Sequence, residues 1–158
     1  MRLYRICHAR YLEDLRGLGA SYRDGARWNE AGVPIVYFAE TPSVAMLEMA
    51  HYLPSPRLVP PGYRLGVYEV SDEVALERWH VRDLPEGWDR YPHLRSTRRM
   101  GTLWLMRKEA PLLAVPSVAV PGGLENIVLA NPSVLDEGTI RLIAAEERIY
   151  NERAFVSE

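Results

Sequence analysis

Proline and glycine divide the apolar part of this chain into short runs. The longest uncharged stretch, residues 110–124, contains Pro111, Pro116 and Pro121. Because proline interrupts a helix, this stretch is too short and too broken to cross a bilayer. Apolar runs of this kind are typical of short β-strands with a few helices between them. The pattern predicts a single α+β domain over residues 1–158.

Hydrophobic periodicity and turn signals predict where the elements lie. Strands are predicted over residues 2–7, 33–39, 63–70, 76–83, 112–115, 117–120 and 127–130. One helix is predicted from Pro42 to about Tyr52, with Thr41 as its N-cap, and another over residues 93–108. Residues 139–145 fit a strand or a helix, and the glycine-rich segment 17–32 and residues 85–92 are predicted as loops.

Charge and cysteine content narrow the possible classes of function. The formal net charge is −2, so direct nucleic-acid binding is not expected. The single cysteine, Cys7, excludes an internal disulfide and a cysteine-based zinc site, and the four histidines lack metal-ligand spacing. The first apolar run carries arginines and is unlike a secretion signal. We therefore expect a cytoplasmic protein with no metal and no membrane contact.

A basic segment runs from Arg90 to Lys108 without any acidic residue. A solvated helix face is the simplest interpretation. An anion site is a second interpretation, since arginine grips phosphate through parallel hydrogen bonds. A surface for an acidic partner protein is a third.

Glu48 is the residue whose surroundings are most informative. No other residue with a formal charge lies between Thr41 and Pro56, and Val44 and Ala45 make its helix stripe apolar. A carboxylate beside a core face costs several kcal/mol unless it is paired or lines a polar cleft. Glu48 is therefore either a structural, ion-paired group or a functional carboxylate.

Three other residues are candidates for a site, although none decides a function alone. Arg27, in a tight glycine-containing segment, could bind a phosphate or stack on Trp28. Tyr37 lies in the apolar strand before the Glu48 helix, where core packing is the ordinary outcome. Ser117 has no G-x-S-x-G elbow around it, so it is poorly supported as a hydrolase nucleophile.

In combination, five segments of this chain resemble the motifs of the RES-domain family. They are residues 25–29, 32–42, 45–48, 115–117 and 131–132. The family is named for an arginine, a glutamate and a serine, which correspond here to Arg27, Glu48 and Ser117. The resemblance extends from Tyr4 to about Pro132. The chain departs at Ala26, where the family usually has glycine, and over residues 133–135, where it often has a histidine.

The resemblance implies a fold and an activity. The fold would be similar to that of ADP-ribosyltransferase toxins, with short mixed and antiparallel strands and a few helices. The protein would be the toxin of a type II toxin–antitoxin pair, degrading NAD+ at the nicotinamide–ribose bond by hydrolysis or phosphorolysis. Transfer of ADP-ribose to a protein and a catalytically inactive, partner-binding RES module are the alternatives. A ribonuclease using the basic segment is disfavoured, because no His or Lys acid/base cluster accompanies that segment.

The resemblance also implies roles and partners. Glu48 would stabilise positive charge on the ribose, Arg27 would clamp the pyrophosphate or a ribose, and Tyr37 would contact the nicotinamide side. Ser117 and Asn131 would bind the nucleotide. NAD+ is the expected substrate, with inorganic phosphate an open acceptor and a homodimer left open. An Xre-type helix-turn-helix antitoxin is the expected protein partner, and nucleic acid would be contacted only through it.

Overall fold

One mixed β-sheet carries the helices of this protein. The structure, a computed structural model, describes residues 1–55, 58–151 and 153. The strands within those residues are β1 (Arg2–His8), β2 (Val36–Ala39), β3 (Tyr63–Val70), β4 (Leu76–Arg78), β5 (Leu112–Pro116), β6 (Asn126–Ala130) and β7 (Ile140–Glu146). The helices are α1 (Ala20–Asp24), α2 (Pro42–Ala50) and α3 (Arg95–Arg107), with 3-10 turns at Ala9–Tyr11, Val81–Asp83 and Pro121–Gly123.

The strands lie in the order β4-β5-β6-β2-β1-β3-β7. Only β4 and β5 run parallel, with Leu76 opposite Leu112, and the other neighbours are antiparallel. The central strand β2 pairs with β6 along its length, so that Tyr37 lies opposite Leu129. In this order, β6 lies between β5 and β2. Ser117 follows β5 in the chain and α2 follows β2, so the strand order brings these parts of the chain close together.

Side chains alternate between two faces of the sheet, and both faces are buried in the centre. Leu113, Val115 and Leu129 belong to one core cluster, which also contains Val44 of α2 and Trp104 of α3. Leu112, Ala114, Val128, Ala130 and Phe38 belong to a second cluster on the opposite face. Burial on both faces explains why these strands are uninterrupted apolar runs in the sequence. The helices α2 and α3 cover the first face.

Most of the predicted elements are confirmed. The strands predicted over 2–7, 63–70, 112–115 and 127–130 match β1, β3, β5 and β6 to within a residue, and 139–145 is the strand β7. Helix α2 begins at Pro42, where Thr41 Oγ1 accepts a 3.2 Å hydrogen bond from Val44 N. The α+β fold class is confirmed. Among the described residues, no helix has the length and apolar character required to cross a membrane.

Four predicted details were wrong. The strand predicted over 117–120 is a turn, because Ser117 Oγ accepts a hydrogen bond from Ala119 N (3.1 Å). The strand predicted over 33–39 begins only at Val36, and that over 76–83 ends at Arg78. The short helix α1 lies within a segment predicted as loop.

Candidate functional site

Glu48 and Ser117 meet at one end of the sheet. Ser117 Oγ donates a 2.6 Å hydrogen bond to Glu48 Oε1. Ser117 is completely buried, whereas 24% of the Glu48 side chain is exposed, and His51 Nδ1 lies 4.0 Å from Glu48 Oε2. The carboxylate is thus held by a hydrogen bond at one oxygen while about a quarter of the side chain is exposed, so it fits neither a free surface acid nor a closed buried pair.

Arg27 is buried, with 8% of its surface exposed. Its Nη1 donates to two backbone carbonyls of the 85–92 loop, those of Trp88 and Arg90. Burial lowers the pKa of Arg27, and the negative charges of Glu48 and Asp89 partly oppose that shift. Among the described residues, the Nε and Nη2 atoms of Arg27 have no hydrogen-bond partner, so three of the five N–H donors of the guanidinium remain for a ligand.

A compact loop holds Arg27 in place. Gly25 adopts a φ of 74°, which favours glycine, and Ala26 N donates to Asn29 O at 2.9 Å. The Asn29 side chain is fully buried, and its Nδ2 donates to Ser21 O at 2.7 Å. These bonds close the turn on both sides of Arg27.

Tyr37 supports the same loop from the sheet. Its hydroxyl accepts a 3.2 Å hydrogen bond from Trp28 N and donates a 2.9 Å bond to Asn29 Oδ1. Burial raises the pKa of Tyr37 far above its usual range, so the hydroxyl keeps its proton. Tyr37 is therefore connected to Arg27 through the loop that it fixes.

Helix α3 packs directly on the Arg27 loop at Gly101. A Cβ at Gly101 would lie 1.9 Å from Trp28 O, so only glycine fits there. One residue further along, Thr102 Oγ1 accepts a 3.0 Å hydrogen bond from Glu30 N. The loop is thus clamped between β2 and α3.

The structure brings Arg27, Tyr37, Glu48 and Ser117 together but not Asn131. The charges of Arg27 and Glu48 both act on the Tyr37 hydroxyl, and Ser117 is hydrogen-bonded to Glu48. Asn131 Nδ2 instead donates to Leu105 O at 2.8 Å, and its Oδ1 accepts from Ser133 N and Oγ. These contacts of Asn131 tie the end of β6 to α3, and none described here links it to Arg27 or Glu48.

Sequence reasoning missed the aromatic residues on the solvent side of this site. Tyr52 and Tyr91 are 74% and 84% exposed. Tyr52 lies within electrostatic range of Glu48, Arg27 and Tyr91. Its position four residues after Glu48 was the signal that could have identified it, since such residues share a helix face. The role of Asn29 as the partner of Tyr37 had no comparable signal.

A groove lined by other residues lies on the same protein. It is an open groove of about 470 Å³ that is lined by Glu77, Trp79, Asp83, Met100, Leu103, Trp104 and Arg107. The Glu77 carboxylate accepts from the indole nitrogens of Trp79 and Trp104 and from Arg107. The Glu77 side chain thus links β4 to α3. No group of three or more His, Cys, Asp or Glu residues within the described chain could hold a metal ion.

Both the sequence and the fold are similar to those of known proteins. A family model described as RES domain matches residues 2–149. The chain is 38% identical over 143 residues to the "Prs ADP-ribosylating toxin" of Sphingobium sp. (strain YBL2), covering 89% of this chain and 86% of that protein. It is 37% identical over 134 residues to "Toxin Res" of Yersinia enterocolitica serotype O:8 / biotype 1B, covering 84% of each.

One solved structure has a similar fold. It belongs to the crystal structure of the M. tuberculosis MbcT–MbcA toxin–antitoxin complex and matches with a TM-score of 0.72. The match covers 91% of this chain and 81% of the solved one at 21% sequence identity. At that identity the likeness concerns the fold.

Proposed function

Because the chain belongs to the RES domain family, we propose that it is a toxin that consumes NAD+ by breaking the bond between nicotinamide and ribose. The observation that carries the proposal is the Glu48 carboxylate, fixed by Ser117 and partly open to solvent, within electrostatic reach of Arg27. Relatives named as toxins, one of them ADP-ribosylating, support the same chemistry. That the domain extends over all of 1–158 stays a prediction.

The proposed reaction needs a negative charge beside the ribose. When the bond from C1′ of the ribose to the nicotinamide nitrogen breaks, its electron pair stays on nitrogen and the ribose becomes oxocarbenium-like. Nicotinamide departs neutral, and the Glu48 carboxylate stabilises the positive charge left behind. Water then bonds to C1′ and loses a proton, which yields ADP-ribose, whereas phosphate in the same position yields ADP-ribose 1-phosphate.

The remaining residues would bind the substrate or position the groups that contact it. Arg27 has unpaired donors on its Nε and Nη2 atoms, which suits binding of a pyrophosphate or ribose. The Ser117 hydroxyl is committed to Glu48, so we assign it the orientation of the carboxylate and expect it to approach a ribose hydroxyl only secondarily. Tyr37 acts as a positioning residue through the Arg27 loop, and its predicted contact with nicotinamide remains untested. The nucleotide-binding role of Asn131 also stays a prediction.

The proposal includes three alternative acceptors of the ADP-ribosyl group. Water, inorganic phosphate and a protein side chain would all attack the same carbon. The relative named "Prs ADP-ribosylating toxin" favours a protein acceptor as the second candidate. A catalytically inactive module is less favoured, because the Arg27, Glu48 and Ser117 side chains are all in place.

We also propose an antitoxin as partner. The solved structure with the similar fold comes from a toxin–antitoxin complex. The exposed Tyr52, within electrostatic range of Glu48, and the exposed Tyr91, within range of Tyr52, are the kind of aromatic groups that protein interfaces bury. An Xre-type antitoxin seated on them would cover the site. Such a pair would act in the cytoplasm.

Analysis of the reaction products tests the proposed activity. Purified protein is incubated with NAD+, with and without phosphate, and the products are separated by chromatography. Nicotinamide with ADP-ribose identifies hydrolysis, and nicotinamide with the 1-phosphate identifies phosphorolysis. An unchanged NAD+ pool in both conditions, and in the presence of cell extract as a source of protein acceptors, would refute the proposal.

A further inference from the structure

Two arginines and a histidine lie close together beside the candidate site. The positive charges of Arg27 and Arg98, together with burial, lower the pKa of His93. His93 therefore lies within electrostatic range of both guanidinium groups. Among the described residues, none of the three forms an ion pair, although Glu48 and Asp89 act on Arg27 from a greater distance. The positive charge of the two arginines is thus not neutralised by direct contact.

Two of these side chains have buried nitrogen atoms without a partner. His93 Nδ1 and Arg98 Nε are buried atoms with no hydrogen-bond partner in the described part of the chain. Leaving such a group unpaired destabilises the folded protein, and native proteins contain few of them. Two orphaned nitrogens next to an arginine that also has unpaired donors indicate a position built for an acceptor.

Arg98 differs from the rest of the basic segment. Arg95 and Arg99 on the same helix are exposed, as a solvated face requires. Arg107 is ion-paired to Glu77 at 3.2 Å. Arg98 alone among these helical arginines is half-buried and unpaired within the described residues. A solvated helix face therefore explains Arg95 and Arg99. It does not explain Arg98, for which an anion site is the better interpretation.

The start of α3 reinforces the positive potential. Its N-cap, Leu94, offers no side-chain hydrogen bond, and the first turn contains no acidic residue. The first amides of a helix that lack a cap carry a partial positive charge. His93 precedes this end and Arg98 lies one turn inside it, so the helix adds to the charge that the side chains carry.

We propose that His93, Arg98 and Arg27 form a binding site for a phosphoryl group. Two guanidinium groups and an imidazole supply several donors, and a phosphoryl oxygen accepts from more than one of them. The inference rests on the proposed function for the identity of the molecule: the group is either the pyrophosphate of NAD+ or free inorganic phosphate as acceptor. The binding itself requires no turnover.

The site is tested by measuring the binding of ligands that contain a phosphoryl group and of one that does not. Affinities for ADP-ribose, inorganic phosphate and adenosine, which has no phosphate, are measured by calorimetry for wild type, Arg98→Gln and Arg99→Gln. The exposed Arg99 is the matched control on the same helix. We expect Arg98→Gln to weaken ADP-ribose or phosphate binding about tenfold or more, with adenosine unchanged. Arg99→Gln should leave all three affinities within about twofold.

Competition identifies the source of the phosphoryl group. If phosphate displaces ADP-ribose and Arg98→Gln weakens both, the site binds the pyrophosphate. If phosphate binds the complex with ADP-ribose and Arg98→Gln weakens phosphate alone, the site binds the acceptor. Either result supports the proposal, even if the NAD+ pool stays unchanged in the activity assay. Equal losses for Arg98→Gln and Arg99→Gln, or an equal loss for adenosine, would overturn it.

A second variant guards against a folding defect. The imidazole resonance of His93 is assigned by its disappearance in His93→Gln, and phosphate is then added to the wild-type protein. A bound phosphoryl group should shift this resonance and raise the pKa of His93, since an adjacent anion favours the imidazolium. A purely structural histidine would show no such shift. Saturation without any change at His93 would contradict the proposed site.

Discussion

The hydroxyl of Ser117 donates to Glu48 Oε1 at 2.6 Å although 69 positions separate the two residues. The bond joins the turn after β5 to the last turn of α2, on the sheet face that α2 and α3 cover. Because Ser117 is completely buried and Glu48 is not, the serine fixes the orientation of an acid that is partly exposed to solvent. Glu48 thus combines a defined position with partial exposure.

Replacing Ser117 by alanine tests that orientation. The change removes the donor to Glu48 and the acceptor for Ala119 N, so it should cost about 1–2 kcal/mol of unfolding free energy. We expect kcat for NAD+ consumption to fall about tenfold or more, because the carboxylate loses its fixed orientation. Ser43→Ala, an exposed serine on α2, is the control. Wild-type kcat in Ser117→Ala would contradict this role.

Glu48→Gln removes the negative charge with little change in volume. NAD+ consumption should fall at least about a hundredfold, since the charge that stabilises the ribose cation is gone. The melting temperature should stay near that of wild type. Glu30→Gln, at an exposed position in the Arg27 loop, should keep full activity. Product chromatography measures both, and substantial turnover by Glu48→Gln would exclude this carboxylate from the reaction.

Tyr37→Phe should act through the Arg27 loop. Without the hydroxyl, Trp28 N and Asn29 Oδ1 lose their partners, at about 1–3 kcal/mol. A displaced Arg27 should then raise KM for NAD+ more than it lowers kcat. Tyr4→Phe is the control, since the Tyr4 hydroxyl has no hydrogen bond in the described residues. A fall in kcat alone would instead indicate direct contact with the reacting ring.

Gly101→Ala should destabilise the protein by about 3 kcal/mol, because the added methyl group meets the backbone oxygen of Trp28 rather than a flexible side chain. Thermal or urea unfolding measures the loss. Gly19→Ala is the control: its Cβ would meet nothing within 4 Å, and the melting temperature should barely change. Equal stability of the two variants would mean that α3 does not clamp the loop as tightly as the structure shows.

His93 should make stability depend on pH. Burial and the charges of Arg27 and Arg98 lower its pKa below 6.5 in the folded protein. The unfolded state therefore binds the proton more readily, and His93 favours unfolding as the pH falls below 6.5. Urea unfolding in phosphate-free buffer should show a smaller loss between about pH 7.5 and pH 5.5 for His93→Gln than for wild type. Identical losses would show that its pKa is unshifted.

The sequence predicted the strands of the sheet better than the turns and short helices between them. β3 and the start of α2 were predictable because alternation and a Thr-Pro cap are local signals. The turn at Ser117 was mistaken for a strand, since its apolar neighbours hide the side-chain hydrogen bond that closes it. The helix α1 has only five residues, too few for a helical period to be visible.

For the site, the sequence identified candidates and left their geometry open. An isolated acid in an apolar helix singled out Glu48, and the family motifs added Arg27, Tyr37 and Ser117. Nothing local distinguished Tyr37, which fixes a loop, from a residue that touches substrate. Likewise, Arg98 looked like the other arginines of its segment, because burial is a property of the packed helix.

By itself, the sequence determined which chemical groups this protein has and which short segments become strands or helices, since hydrophobic period, capping and proline act over a few residues. Only the tertiary structure decided that Ser117 would hold Glu48, that Tyr37 would fix the Arg27 loop and that His93 and Arg98 would be left with unpaired buried nitrogen atoms. Those relationships join residues that are distant in the chain, and they exist only once the sheet and α3 have packed.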